Sequence, residues 1–325
     1  MIHKELEILK LVELDAGEVF SGKKSNTKIK GYEKANSFTP VVDADYVFHE
    51  LSRDVIVWFM HNISPLYLFG PSGSGKTSVI KQLAAKLNYP VFEINGHSRL
   101  EYLDMVGHLS LQNGSMNFEY GPLAMAMKYG GIFLLNEIDL LDPATAAGLN
   151  SVLDGAPLCI PENGGELIKP HENFRFAATA NTNGGSDETS SYNGTLKQNL
   201  AFMDRFVMFE APYPTVDVEL KLLAKVQPDL PEMVRNKMVE FANEVRNLFV
   251  GNIKDEFECT QRIDVTFSTR TLLRWAELTM LFQPLAKQKI NVVNYALDRA
   301  LSYRASTEGR ILLTELSQRI FADGE

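Results

Sequence analysis

Cysteine is scarce in this chain: two in 325 residues, Cys159 and Cys259, far apart and neither in a CxxC pair. A disulfide framework and a thiolate zinc site are thereby excluded. The six histidines (His3, His49, His61, His97, His108 and His171) are scattered without the spacing of metal ligands. No apolar run approaches the ~20 residues of a membrane span. The opening stretch, MIHKELEILKLVELDAGEVF, breaks its apolar residues with acids and carries no signal-peptide core. A soluble, cytoplasmic protein that engages no membrane is the expectation. Basic residues are in deficit, 32 against 41 acidic ones, for a formal charge of −9. That balance disfavours a surface broadly suited to nucleic acid or anionic lipid, while leaving room for a local basic channel. Internal repeats and low-complexity tracts are absent as well.

What is present is the composition of a folded protein. Hydrophobic residues make up 45% of the chain and aromatics 10%, which excludes disorder as its main state. The length predicts roughly two domains, each able to bury a core without staples. Residues 1–50 mix short apolar stretches with Gly, Ser, Lys and Asn and read as an N-terminal arm with little core of its own. A helix is expected from about Ser52, a good N-cap, to His61. From Pro65 the pattern becomes strand, loop, helix, strand: LYLF (66–69), SVIKQLAAKL (78–87), VFEI (91–94), then IFLL (132–135), FRFAATA (174–180) and RFVMFE (205–210). Such alternation predicts an α/β domain with a parallel sheet over 51–212. After APYP (211–214) only helical patterns follow, predicting an all-helical domain over 213–325. Two segments, 108–120 around Asn113-Gly114 and 157–170 around Asn163-Gly164-Gly165, read as inserted β-hairpins. The methionines of GPLAMAMKYG (121–130) read as helix core.

The most specific motif is Gly70-Pro71-Ser72-Gly73-Ser74-Gly75-Lys76-Thr77, with Ser78 following. It fits G-x-x-x-x-G-K-[ST] between a strand and a helix. Glycines let backbone N–H groups turn inward around phosphate oxygens, Lys76 places a point charge on the β and γ phosphates, and the Thr77 hydroxyl suits Mg²⁺. A site for a nucleoside triphosphate and its magnesium follows. Ile132-Phe133-Leu134-Leu135-Asn136-Glu137 has the form of the accompanying Walker B strand. The usual acidic pair there supplies charge to the Mg²⁺ shell and a general base. Here Asn136 stands in place of Asp at the metal: its amide oxygen can still accept a hydrogen bond from a magnesium-bound water, but one negative charge is missing, while Glu137 keeps the base position. Asp139 or Asp142 are alternatives for that charge, though both suit N-caps of the next helix. Asn95, at the end of VFEI, is placed to restrain Glu137, or is an ordinary loop asparagine.

With these motifs in order, the chain resembles the AAA+ ATPases, and within them the MoxR-like and magnesium-chelatase group, nearest to CobS-type cobaltochelatase ATPase subunits. EVF and VDADYVF, GPSGSGKT, LAAKLNYPVFEINGHSRLEYLDMVG, FRFAATANTNG, SYNGTLKQNLAFMDRF, FSTRTLLRWAE and ELSQRIF carry the similarity. The resemblance implies a P-loop AAA+ core with a helical lid. It implies sensor 1 at Asn181, an arginine finger at Arg205 reaching a neighbouring subunit, and sensor 2 at Arg270. It makes the two hairpins the helix-2 insert and the pre-sensor-1 hairpin. It further implies a ring, most often a hexamer, working on a partner that carries a von Willebrand A-type domain. Two other readings stand beside that chelatase-type motor. One is an ATPase of a mobile element or defence system acting on nucleic acid or its enzymes. The other is an ATP-binding scaffold that hydrolyses little because of Asn136.

Overall fold

The strand and helix signals that begin at Pro65 resolve into one parallel sheet. A computed structural model describes residues 2–62, 64–112, 114–185, 192, 194–250 and 263–322; Asn113 and Cys259 lie outside them. Two compact units divide the chain. The first comprises Met1–Ala44, Phe48–Pro71 and Gly75–Ala211, and the second Asp45–Val47, Ser72–Ser74 and Pro212–Glu325.

The first unit opens with α1 (Ile2–Glu7), β1 (Leu11–Asp15), α2 (Ala16–Ser21) and β2 (Lys28–Tyr32), the two strands pairing antiparallel. These residues share in the burial of the unit, since Leu6, Ile29 and Tyr32 are all buried. Next come α3 (Glu50–His61), β3 (Leu66–Phe69), α4 (Lys76–Lys86), β4 (Val91–Asn95) and α5 (Tyr102–Val106). Helix α3 starts two residues earlier than its sequence suggests. Its cap is His49, and Ser52 sits inside the first turn with its hydroxyl accepting from the His49 N–H at 3.2 Å. The chain continues through β5 (Gly107–Gln112), β6 (Ser115–Tyr120), α6 (Pro122–Tyr129), β7 (Gly131–Asn136), α7 (Pro143–Gly148) and α8 (Asn150–Leu153). It ends the unit with β8 (Leu158–Ile160), β9 (Glu166–Ile168), β10 (Phe174–Ala180), α9 (Leu200–Met203) and β11 (Val207–Glu210).

Five strands form the main sheet in the order β11-β3-β10-β7-β4, every pair parallel. Strands β7 and β10 are buried at every position, as expected where helices cover both faces of a parallel sheet. Edge strand β11 is only half-buried. Met125 and Met127 of α6 lie in the core beneath the sheet. Strands β5–β6 and β8–β9 form the two expected hairpins, and in the first Gln112 pairs with Ser115.

The second unit is helical: α10 (Val216–Val226), α11 (Glu232–Val250), α12 (Thr269–Leu281), α13 (Val292–Ala300) and α14 (Thr307–Ala322). Its core gathers around Trp275, fully buried, with the Phe241 and Phe267 rings 5.1 and 5.7 Å from the indole. Among the described residues no helix is long and apolar enough to cross a membrane.

Candidate phosphate-binding site

Parallel strands present their carboxyl ends at one edge of the sheet, and open α/β sheets bind ligands there. Strand β3 leads directly into Gly70, whose φ is +149°. A Cβ at that position would stand 2.3 Å from the Ala211 carbonyl oxygen, so only glycine fits. The Gly70 N–H donates to the Ala180 carbonyl at 3.3 Å, tying the start of the loop to the end of β10. Gly75 caps α4 with a φ of +93° and no side chain closing that end. The first N–H groups of a helix opened this way form an anion site. Of the remaining motif residues, Pro71 belongs to the first unit, Ser72–Ser74 group with the second, and Ser78 is exposed in the first turn of α4.

Lys76 is buried, and its ammonium donates to the Gly70 and Pro71 carbonyls at 2.7 and 2.9 Å and to Asn181 Oδ1 at 3.3 Å. Lys76 and Asn181, expected to share a site although far apart in sequence, are thus in contact. The Thr77 hydroxyl donates to Asn136 Oδ1 at 2.8 Å, and the Thr179 hydroxyl does so at 3.1 Å. On its other side the Asn136 amide donates to Glu93 Oε1 at 2.6 Å and to Asn95 Oδ1 at 3.1 Å. Asn95 therefore bonds to Asn136, whereas its sequence position suggested a restraint on Glu137.

Glu137 follows with its side chain exposed and its backbone left-handed, φ +53°. Non-glycine residues seldom adopt that conformation, and strain of this kind concentrates at functional sites. Thr179 Oγ1 accepts from the Glu137 N–H at 3.3 Å, and the Gly96 N–H donates to the Asn136 carbonyl at 2.6 Å. A Cβ on Gly96 would come within 2.4 Å of the Glu137 carbonyl oxygen, so the close approach of the β4 and β7 ends requires glycine there.

The two later acids separate in role. Asp142 caps α7, its Oδ1 accepting from the Ala144 N–H at 2.8 Å. Asp139 does not cap a helix: it is fully buried, and Oδ2 accepts from the Asn181 and Thr182 N–H groups at 2.8 and 3.0 Å. The carboxylate thereby fixes the turn that carries Asn181. Arg205 is held within its own chain, with Nε and Nη2 donating to the two Asp154 oxygens at 2.8 and 3.0 Å. Arg270 is exposed in the first turn of α12 in the helical unit.

The oxygen groups fit magnesium. Thr77 gives its proton to Asn136, which leaves hydroxyl lone pairs for a hard cation. Both lone-pair directions of Asn136 Oδ1 are taken by hydroxyls, so Asn136 reaches a metal through Thr77. Sequence reasoning missed Glu93, Thr179 and the role of Asp139. The one available signal was a charged residue two positions before Asn95, on the same face of a strand.

Residues 65–206 match the family described as AAA domain (dynein-related subfamily), and residues 219–320 match the CbbQ/NirQ/NorQ C-terminal family. The chain is 30% identical over 279 residues to the aerobic cobaltochelatase subunit CobS of a Sinorhizobium species, covering 83% of this chain and 81% of that protein. It is 31% identical over 198 residues to an uncharacterized protein of Staphylococcus epidermidis, covering 59% and 72% respectively. A solved structure of a putative ATPase from Cytophaga hutchinsonii aligns over 85% of this chain and 88% of that one, at 15% identity and a TM-score of 0.43.

Proposed function

Because the chain belongs to the MoxR-type AAA+ ATPases, joining an AAA domain to a CbbQ/NirQ/NorQ C-terminal region, we propose that it hydrolyses ATP with magnesium to remodel a partner protein. The observation that carries this reading is the contact of Lys76 with Asn181 beside the Thr77–Asn136 bond. In it the phosphate loop, the Walker B strand and the sensor position meet at the carboxyl ends of β3, β7 and β10.

The backbone from Gly70 to Thr77 cradles the phosphates, with Ser78 in the turn behind. Lys76 exchanges its two loop carbonyls for β and γ oxygens, a charge-assisted bond in place of neutral ones. Thr77 would hold magnesium, which when bound would offset phosphate charge. Glu137 accepts a proton from the attacking water while Asn181 fixes that water's orientation, and the γ-phosphoryl passes to the water oxygen as ADP leaves. Arg205 leaves Asp154 and serves the γ-phosphate of a neighbouring copy, and Arg270 serves from the lid. A residue supplied to a neighbour requires a head-to-tail interface, which closes into a ring, here a hexamer. Similarity to a cobaltochelatase subunit supports a partner with a von Willebrand A-type domain and a cytoplasmic setting. The missing acid at Asn136 favours one second reading, an ATP-dependent scaffold with little turnover.

Two substitutions test the proposal together. Lys76→Ala removes a charged bond worth about 1.5–3 kcal/mol, so affinity for a fluorescent ATP analogue falls roughly ten- to a hundredfold. Glu137→Gln binds the analogue as the parent does and loses hydrolysis. Unchanged affinity in the first variant removes the cradle, and unchanged turnover in the second moves the base elsewhere. A parent that binds ATP and releases no phosphate is the scaffold.

A further inference from the structure

The Asn136 carboxamide makes every hydrogen bond open to it. Oδ1 accepts from two threonine hydroxyls, and Nδ2 donates to Glu93 and Asn95. An amide in that pocket can be turned either way, and the neighbours decide. Threonine hydroxyls tolerate both orientations because they donate and accept. Asn95 can also turn its own amide. Only the Glu93 carboxylate, which accepts, requires the –NH₂ end of Asn136 to face it. The register of the sheet explains how it gets there. Asn95 lies directly opposite Asn136, and Glu93, two residues earlier on the same face of β4, is the diagonal neighbour. The second Glu93 oxygen pairs with Lys81 of α4.

From this geometry we infer that Glu93 is the positioning residue of the magnesium site: its carboxylate locks the Asn136 amide so that Oδ1 takes the Thr77 proton and leaves the Thr77 lone pairs to the cation. Glu93 supplies the carboxylate that holds the amide, and its other oxygen is paired with Lys81. The inference rests on the nucleotide reading above. It changes what restoring the acid does: Asp at 136 would set a second carboxylate against Glu93, where Nδ2 now stands 2.6 Å from Oε1. Two carboxylates that close cannot both ionise without penalty. Asn136 is matched to Glu93, and an acid at 136 is tolerated only once Glu93 is replaced by a neutral residue.

The test is a double-mutant cycle over Glu93→Gln, Asn136→Asp and both together, in the full chain. It is read as the magnesium concentration at half-saturation for a non-hydrolysable ATP analogue, and as the number and affinity of bound Mn²⁺ by electron paramagnetic resonance. Analogue affinity without metal and the melting temperature are followed in parallel. Glu93→Gln is expected to weaken the metal dependence about 2- to 150-fold, the range of couplings between contacting residues, with metal-free analogue affinity unchanged. Asn136→Asp alone should fail to tighten metal binding and should melt lower than the parent. The double variant should recover both properties.

Additive effects, or an Asn136→Asp protein that tightens metal binding with Glu93 in place, overturn the inference. So does a Glu93→Gln protein with parental metal dependence. If Asn136→Asp does not fold, the Glu93→Gln and double variants decide alone. A parent that binds the analogue, combined with zero coupling, removes only the role of Glu93. A parent that binds no nucleotide removes the site reading and this inference with it.

Discussion

Asp15 shows how much one half-buried side chain can organise. Its carboxylate accepts from the backbone N–H groups of Glu18, Ser25 and Asn26 and from the Ser25 hydroxyl, closing the connection that runs through α2 from β1 to β2. These bonds, led by the Glu18 N–H, lower its pKa from 3.8 to about 2. A folded value below the unfolded one means the contribution is complete above pH about 4 and is lost as pH falls through about 2. Protection of the Ser25 and Asn26 amides from hydrogen exchange should decline across that window, and Asp15→Asn should remove the dependence. Flat protection from pH 4 to 2 in the parent would contradict it. At this scale the site was unevenly legible. Gly70 to Thr77 is contiguous and chemically unusual, so its spacing announces it. Asp139 and Glu93 act on groups about forty residues distant, and neither has a local pattern that separates it from a cap or a solvated strand residue.

Elements were more legible than their ends. The strands at 66–69 and 174–180 and the helices at 216–226 and 269–281 follow directly from apolar periodicity. The start of α3 did not, because Ser52 suits both an N-cap and a first-turn acceptor, and His49 took the cap. The run 291–304 reads as one helix but breaks at Leu301, where φ is −138°, and ends in a short 3₁₀ turn. Helix α12 depends on a buried charge pair no pattern reveals. Arg246 of α11 donates to both oxygens of Glu219 in α10 at 2.9 and 2.7 Å and to the Phe267 carbonyl at 2.7 Å. The Thr269 hydroxyl, at the first residue of α12, also donates to Glu219 at 2.7 Å. Removing one partner strands the other charge in the core, so Glu219→Ala should cost the helical unit about 3–5 kcal/mol. Denaturant melts followed at Trp275 would read it, and a loss under about 1 kcal/mol would show that water reaches the pair.

For the whole molecule, the proposed ring turns on Arg205. Its partner Asp154 is exposed, and pairs at such sites contribute only about 0–1 kcal/mol. That hold is weak enough to yield to a phosphate on a neighbouring copy. Arg205→Ala should bind ATP nearly normally and hydrolyse poorly. Mixed with Glu137→Gln subunits it should regain activity, since an intact finger then meets an intact base. Specific activity against mixing ratio, with mixed rings verified by mass, makes the measurement. A flat curve argues against action in trans, and a fully active Arg205→Ala leaves the arginine as an ordinary ion-pair residue.

The strand order also sets a timetable for synthesis. Strand β3 carries the phosphate loop, yet its hydrogen-bonded neighbours in the sheet are β10 and β11, both made long after it. A ribosome adding about 5–20 residues per second needs roughly 5–20 s to travel from the end of β3 to the end of β10. Through that interval LYLF, an apolar segment with both edges open, waits beside a loop that has no framework to shape it. β4 and β7 can pair with each other in the meantime, but they cannot receive β3 until β10 arrives between them. The oldest part of the sheet is therefore among the last to be enclosed, and the growing chain has reason to meet a chaperone before it can hold a phosphate.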